Sequence, residues 1–440
     1  MRYIPNGDAE RVAMLAAIGR GSLDELFSDI PREVLDRFES LGLPPRSEME
    51  VRETVEALAD RNRVTEGVSF LGGGIYDHYV PSVIAHLVSR SEFYTAYTPY
   101  QPEVSQGTLT AMFEFQTLVC ELTGMEIAND SLYDGASATA EAALMAVRLR
   151  GRPRIAVARS LFPHVRRVVD TYCWAAGIDV VELPYGPDGR CDLRDVQEEV
   201  SGLIVQSPNA FGVIEDLAAA REAFSEALLI IVAHPISLGV LEPPGAFGAD
   251  IVTAEGQALG LAPSFGGPLL GLFASRREFL RQMPGRLTSR TVDADGNEGY
   301  VMAAQTREQH IRRERATSNI CTNAQLCALT ATLYLASLGA DGLRTVASLN
   351  LEKAHALAQR LSALPGIEPV FRAPFFNEFT IRVPGDPQGI RSEAREAGLL
   401  LDDPALLAGL GLEGALRIAV TEKRSDDDLD RLVDFLGGLA

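Results

Sequence analysis

Apolar runs of strand length alternate with helical segments from Val68 to about Ser337. The runs Arg154–Arg159, Asp179–Pro184, Gly202–Ser207, Leu228–Ala233, Asp250–Ala254 and Pro268–Ala274 predict strands. Several are apolar throughout, as strands covered on both faces are. Helical segments such as His164–Ala176 and Asp216–Ala227 lie between them, which predicts an α/β domain with a largely parallel sheet. Before Val68 the pattern is helical and polar. Asp8 to Gly19 has helical spacing, Ser22-Leu23-Asp24-Glu25 opens a second helix, and Ser47 caps a third that runs to Asn62. This stretch reads as an arm packing on something larger. After Gly339 a long helix, Arg344 to Leu364, ends at Pro365-Gly366. Strands at Glu368–Phe371, Glu378–Val383 and Ala415–Val420 and helices Gln388–Ala397 and Asp426–Leu439 complete a small α/β domain. Thr291 to Tyr300, with Asp-Gly-Asn, predicts an exposed loop. The expected division is a helical arm (1–67), a large domain (68–338) and a small domain (339–440).

Composition narrows the function classes. The chain has 440 residues, with 60 acidic against 40 basic side chains and a formal charge of -20. That charge disfavours nucleic acid, which needs a basic surface, and anionic membrane. The first residues lack a basic segment followed by an apolar run, so no signal peptide is expected. The window Ala227 to Leu241, interrupted by His234 and Pro235, is too short to span a bilayer. Five scattered cysteines read as reduced thiols in a cytoplasmic protein. No ligand-spaced histidine pair, HExxH or CxxC occurs, so no metal is expected. Only two lysines are present, Lys353 and Lys423.

Several segments could carry chemistry. Tyr133-Asp134-Gly135-Ala136-Ser137-Ala138-Thr139 is a small-residue turn leading into a helix. It reads either as an anion site at a helix N-terminus or as an ordinary N-cap with tight packing. Phe70 to Tyr79 holds a triple glycine without the strand–GxGxxG–helix context of a phosphate cradle. Tyr94 to Gly107 (YTAYTPYQPEVSQG) carries three tyrosines and two prolines. It suits a pocket wall or an aromatic packing loop. Arg312 to Thr322 sets three arginines before hydroxyl and amide side chains, which suits a phosphate or carboxylate contact or a solvated charge run. His234, after its apolar run, reads first as a buried hydrogen-bonded histidine.

In this order, Tyr94–Gly107, Phe113–Val119, Asp134–Glu141, Gly202–Asn209 and Ala316–Thr322 (ATSNICT) resemble the glycine decarboxylase P-protein family. More narrowly they resemble its alpha chains, subunit 1 of the two-chain form. The resemblance implies the fold type I, aminotransferase-like architecture of pyridoxal phosphate enzymes: an N-terminal arm, a large domain with a seven-stranded sheet and a small C-terminal α/β domain. It implies a glycine dehydrogenase (decarboxylating, aminomethyl-transferring), an oxidoreductase that decarboxylates glycine. The aminomethyl group passes to the lipoyl arm of the H-protein. Such chemistry needs a lysine Schiff base and an acidic partner for the pyridine nitrogen.

This sequence departs from that pattern twice. The lysine would follow Asp250–Ala254, where Glu255-Gly256-Gln257-Ala258 stands instead. The pyridine-partner aspartate would end the preceding strand, where Ala233-His234-Pro235 stands. Lys353 and Lys423 read as solvated surface side chains, and a cofactor enzyme built on either is disfavoured. The resemblance then implies a lysine-less alpha subunit, inactive alone, whose beta partner carries the pyridoxal phosphate, with alpha2beta2 stoichiometry. Tyr94, Thr95, Tyr97, Gln101, Glu103 and Gln106 become candidates for the substrate or lipoyl-arm pocket. Ser318, Asn319 and Thr322 become candidates for the cofactor phosphate across the interface. Ser137, Ala138, His234 and Gln257 fall where the family's cofactor pocket would lie. The alternatives are a non-catalytic scaffold and a regulatory pseudoenzyme subunit stabilising the beta chain.

Overall fold

The computed structural model describes residues 6–39, 41–62, 67–95, 97–194 and 199–439. Two compact units divide the chain, Met1–Thr65 and Glu66–Ala440. The first carries the helices Asp8–Ala17 and Glu48–Ala59. Ser47 closes a capping box: its hydroxyl accepts from the Glu50 N–H at 3.3 Å, and the Glu50 carboxylate accepts from the Ser47 N–H at 2.7 Å. Two donors at the helix start are thereby satisfied. The helix expected from Ser22 is only a single turn, Asp24–Phe27, with a second short turn at Arg32–Leu35. Pro31 stands between them and cannot continue a helix.

The second unit opens with β1 (Val68–Ser69). It continues with β2 (Ile127–Ala128), β3 (Arg154–Ala158), β4 (Asp179–Leu183), β5 (Gly202–Ser207), β6 (Leu228–Ala233), β7 (Ile251–Glu255) and β8 (Gly271–Ser275). Strands β2 to β8 form one seven-stranded sheet in the order β2-β8-β7-β6-β5-β3-β4. The five strands β3 to β7 run parallel, and β8 and β2 are antiparallel to their neighbours. Every residue of β5 and β6 is buried, which explains the apolar run through all of β6 and through residues 202–205 of β5. On one face lies the helix Gly135–Arg150, whose alanines 138, 140, 142, 143 and 146 are wholly buried and allow close approach to the sheet.

The expected loop Thr291–Tyr300 is instead a hairpin, β9 (Leu287–Val292) and β10 (Glu298–Ala303), turning at Asp293–Asn297. Two glutamines of the Gln106–Thr123 helix staple it. Gln116 donates to the Thr288 carbonyl (3.0 Å) and accepts from its N–H (2.8 Å). Gln106 does the same at Tyr300 (2.9 and 2.8 Å). These amide pairs supply strand-like partners that local composition does not reveal.

Beyond lies one helical run, Gln325–Ser362, kinked at Gly339, whose φ of 62° is left-handed. The expected helix start at Arg344 is thus the second limb of a longer element. The C-terminal sheet holds β11 (Glu368–Pro369), β12 (Glu378–Arg382) and β14 (Ala415–Ala419), all antiparallel. Strand β13 (Leu399–Leu400) pairs instead with β1, and Phe70 is buried in the same cluster as Leu357, Ile418 and Leu432. Residues 68–70 therefore pack with the C-terminal core, a long-range pairing that a linear division of the chain cannot show.

Candidate functional site

A cavity of about 230 Å³ lies at the C-terminal ends of β5, β6 and β7. Ligands of open α/β sheets bind at this end. One wall is the start of the Gly135–Arg150 helix. Gly135 is required there, because a Cβ would stand 2.7 Å from the Glu255 backbone nitrogen. Two donors of this helix start, the N–H groups of Gly135 and Ser137, are already taken. Asp134 is the N-cap, accepting from the Ser137 N–H (2.7 Å) and the Ser137 hydroxyl (2.9 Å). Glu255, at the end of β7, accepts from the Gly135 N–H at 2.9 Å. It also accepts from the Gln257 N–H (2.9 Å) and the Leu270 N–H (3.0 Å). Burial pushes its carboxyl up to about 7, against these backbone bonds.

Gln257 is buried and turned away from the cavity. Its Oε1 accepts from the Tyr76 N–H (2.9 Å), and its Nε2 donates to the carbonyls of Tyr76 (3.0 Å) and Leu261 (2.6 Å). Ser137 is held by Asp134, and Ala138 is fully buried on the helix. Of the four residues expected at this pocket only His234 lines it; Asp134, Gly135 and Ala136 stand where Ser137 and Ala138 were expected. Burial holds the His234 ring down to about 3, with His78 adding to the effect, so it is neutral. Its Nδ1 accepts from the Ser237 N–H at 3.4 Å, and its ring lies 4.5 Å from that of Tyr76.

Behind this wall sits a buried charge cluster. The Tyr76 hydroxyl donates to Glu378 at 2.6 Å, and Arg417 pairs with Glu378 (2.6 Å) and Asp402 (2.8 Å). Both lysines are engaged; Lys353 is half-buried, which corrects its reading as a solvated side chain, whereas Lys423 is exposed as expected. Lys353 donates to the carbonyls of Glu422 (2.8 Å) and Arg424 (2.6 Å), tying the C-terminal turn to the long helix. Lys423 pairs with Asp77 at 2.5 Å. Neither lines the cavity.

The tyrosine-rich loop faces outward. Tyr94, Thr95, Tyr97, Gln101 and Glu103 are all exposed, Tyr97 at 75% and the nearby Val104 at 80%. Gln106 is different: its amide is engaged with Tyr300 and also donates to the Pro102 carbonyl at 2.7 Å, so it shapes the loop from beneath. Arg286, which the sequence reading missed, anchors the loop from inside. It is buried, and donates to the Thr98 hydroxyl (2.8 Å) and the Tyr100 hydroxyl (3.1 Å). Its neighbour Asp130 is wholly buried, and desolvation raises its carboxyl well above the usual range despite Arg286. Asn323 donates to the Asp130 carbonyl at 2.7 Å. A lone arginine inside the apolar stretch Met283-Pro284-Gly285-Arg286-Leu287 was the available signal.

Ser318 and Asn319 line an open groove with Tyr172, Glu141 and Arg313, on the outer side of the Gly135–Arg150 helix. Thr322 does not line it. Arg312, Arg313 and Arg315 are exposed beside it. Among the described residues no group of three or more His, Cys, Asp or Glu side chains is placed to hold a metal ion.

Residues 1–436 match the family model of the glycine cleavage system P-protein. The chain belongs to that family. The P-protein relatives include a probable glycine dehydrogenase (decarboxylating) subunit 1 of Moorella thermoacetica, 48% identical and covering 100% of both chains. One of the same name from Chloroherpeton thalassium is 50% identical over 99% of each. The crystal structure of glycine decarboxylase (P-protein) of the glycine cleavage system, in inhibitor-bound form, superposes with a TM-score of 0.92 at 44% identity, covering 100% of both chains. The architecture is therefore fold type I, with a helical N-terminal segment and a large, mostly parallel sheet.

Within that family fold the residues at the cavity do not fit a covalently held, phosphorylated cofactor. No lysine lines it, and His234 rather than a carboxylate follows β6. At the helix start that would take a phosphate, Glu255 and Asp134 occupy the Gly135 and Ser137 N–H groups, and acidic side chains stand where free N–H groups would attract a phosphate.

Proposed function

We propose that this P-protein chain is the alpha subunit of a two-chain glycine dehydrogenase (decarboxylating, aminomethyl-transferring), an oxidoreductase that is inactive without its beta subunit. In this reading the beta subunit holds the pyridoxal phosphate, which serves as the electron sink for decarboxylation of glycine. The lipoylated H-protein accepts the aminomethyl group, and the assembly is a cytoplasmic alpha2beta2 heterotetramer. The observation that carries the proposal is the helix start whose Gly135 and Ser137 N–H groups are taken by Glu255 and Asp134, beside the lysine-free segment Glu255-Gly256-Gln257-Ala258. The full-length similarity to chains named subunit 1 supports it.

This chain's own contribution is then a wall. Tyr94, Tyr97, Gln101 and Glu103 form an exposed surface carrying aromatic faces, hydroxyls and a carboxylate, suited to the rim of a shared site. Arg286 and Gln106 hold that surface in one shape. Ser318 and Asn319 offer a second, polar surface toward the partner's cofactor phosphate.

Reconstitution tests the reading. The purified chain, the beta subunit and lipoylated H-protein are mixed, and glycine-dependent release of carbon dioxide is followed. The proposal expects none from this chain with H-protein alone, and turnover once the beta subunit is added. Turnover without the beta subunit would refute it. Assembly with unchanged turnover in a Tyr97→Ser variant would reduce the chain to a scaffold.

A further inference from the structure

The cavity beside Asp134 and Glu255 is not a mere remnant of packing. Its volume of about 230 Å³ exceeds the roughly 150 Å³ of an apolar cavity that admits a benzene ring. Its walls are largely apolar and aromatic: Ile75, Tyr76, Phe162 and Val232. Among its described lining residues the acidic side chains are Asp134 and Glu255, the second raised by burial to about 7 and so only partly ionised near neutral pH; no lysine or arginine lines the cavity. Arg417 stands behind Gly73, where Glu378 and Asp402 neutralise it. His164 also lines the cavity, and burial and the nearby Arg417 both lower its basicity.

One wall also carries an unmet hydrogen-bonding group. His234 is 8% exposed, and its Nε2 is buried without a partner. Because the ring is neutral and its Nδ1 accepts from Ser237, the proton resides on Nε2. A buried N–H donor without an acceptor is costly, and a ligand acceptor would relieve it. Several of the other polar groups are satisfied within the chain. Gln206, for example, accepts from the Phe162 N–H (3.0 Å) and donates to the Pro208 carbonyl (3.0 Å).

We infer that this cavity is a binding site for a small, flat aromatic amine: an ammonium group beside the Asp134 and Glu255 carboxyls, a ring against the aromatic walls, and a ring acceptor for His234. Carboxyl groups with no lysine or arginine in the lining select a cation over an anion, which inverts the preference expected of a phosphate-binding pocket. The inference does not depend on how the beta subunit shares the catalytic site.

The test is calorimetric titration of the full chain with 3-(aminomethyl)pyridine, which has both groups. Benzylamine, without the ring acceptor, and benzoate, an anion, serve as comparisons. The expected result is saturable binding of the pyridine at one site per chain, about tenfold weaker binding of benzylamine, the worth of about one hydrogen bond, and none of benzoate. Asp134→Asn keeps a good helix cap; combined with Glu255→Gln it should weaken the pyridine at least about tenfold. Ala258→Phe places bulk in the cavity and should abolish binding, with thermal unfolding used to confirm that each variant is folded. Absence of saturable amine binding would overturn the inference. So would benzoate binding as tightly as the amines, or amine binding unchanged in folded variants of either kind.

Discussion

The cavity at the sheet and the tyrosine loop offer opposite kinds of surface. At the cavity nearly every donor and acceptor is answered inside the chain: Asp134 caps the helix, Glu255 takes three backbone N–H groups, and Gln257 clasps Tyr76. At the loop the satisfied groups lie underneath, on Arg286 and Gln106, and the aromatic faces are left to solvent. A surface completed from within has no need of a second chain. One that fixes its backbone yet exposes Tyr94, Tyr97 and Val104 is shaped to be covered. The difference teaches that, in the proposed complex, the loop rather than the cavity is the surface to test for contact with the partner.

The largest expected effect lies behind the cavity. Arg417→Met leaves Glu378 and Asp402 buried without a counter-charge, and should cost about 3–5 kcal/mol in denaturant unfolding. A loss below about 1 kcal/mol would show that the cluster does not close this region.

Next comes pH. The Glu255 carboxyl is raised from 4.5 to about 7, so the folded chain keeps a proton that the unfolded chain releases. Its stabilising contribution is full below pH 4.5 and is lost as pH rises through about 7, about 3 kcal/mol in all. His234 acts with the opposite sign: depressed from 6.5 to about 3, it contributes above pH 6.5 and loses that contribution as pH falls toward 3. Comparison with Glu255→Gln isolates the first slope. The stability advantage of the wild type over the variant should shrink by about 3 kcal/mol between pH 4.5 and 7. An advantage constant across that range would mean that Glu255 is not desolvated.

At the loop, Arg286→Met removes two bonds from a charged donor and should cost about 2–3 kcal/mol in denaturant unfolding. In the proposed complex it should also lower kcat, while Arg286→Lys recovers part. The smallest stability effect belongs to Tyr97→Ser: 75% exposed, it should change unfolding by no more than about 0.5 kcal/mol. It should nonetheless reduce turnover of the complex at least about tenfold. A stability loss comparable to that of Arg286→Met would erase the distinction between anchor and surface.

Much of this fold was legible because burial leaves a local trace. Leu228–Ala233 is apolar at every position and Gly202–Ser207 over its first four, and they are strands over those same residues. Elements held by distant partners left no such trace. The β9–β10 hairpin depends on Gln106 and Gln116, more than 170 positions away. Strand β1 depends on Leu399–Leu400. Lys353 found its acceptors at Glu422 and Arg424, across the C-terminal turn. At the cavity, Asp134 beside Ser137 was a readable N-cap, whereas the approach of Glu255 to Gly135 required the folded sheet. The missing lysine was plain in the sequence; the carboxyl that Glu255 brings to the helix start was not.

The most direct test of the central claim is borohydride trapping of the chain incubated with pyridoxal phosphate, with and without the beta subunit, followed by peptide mass mapping. The account predicts no stoichiometric label on this chain in either sample, Lys353 and Lys423 included, and one label on the beta subunit when it is present. A stoichiometric adduct on Lys353 or Lys423 would contradict it.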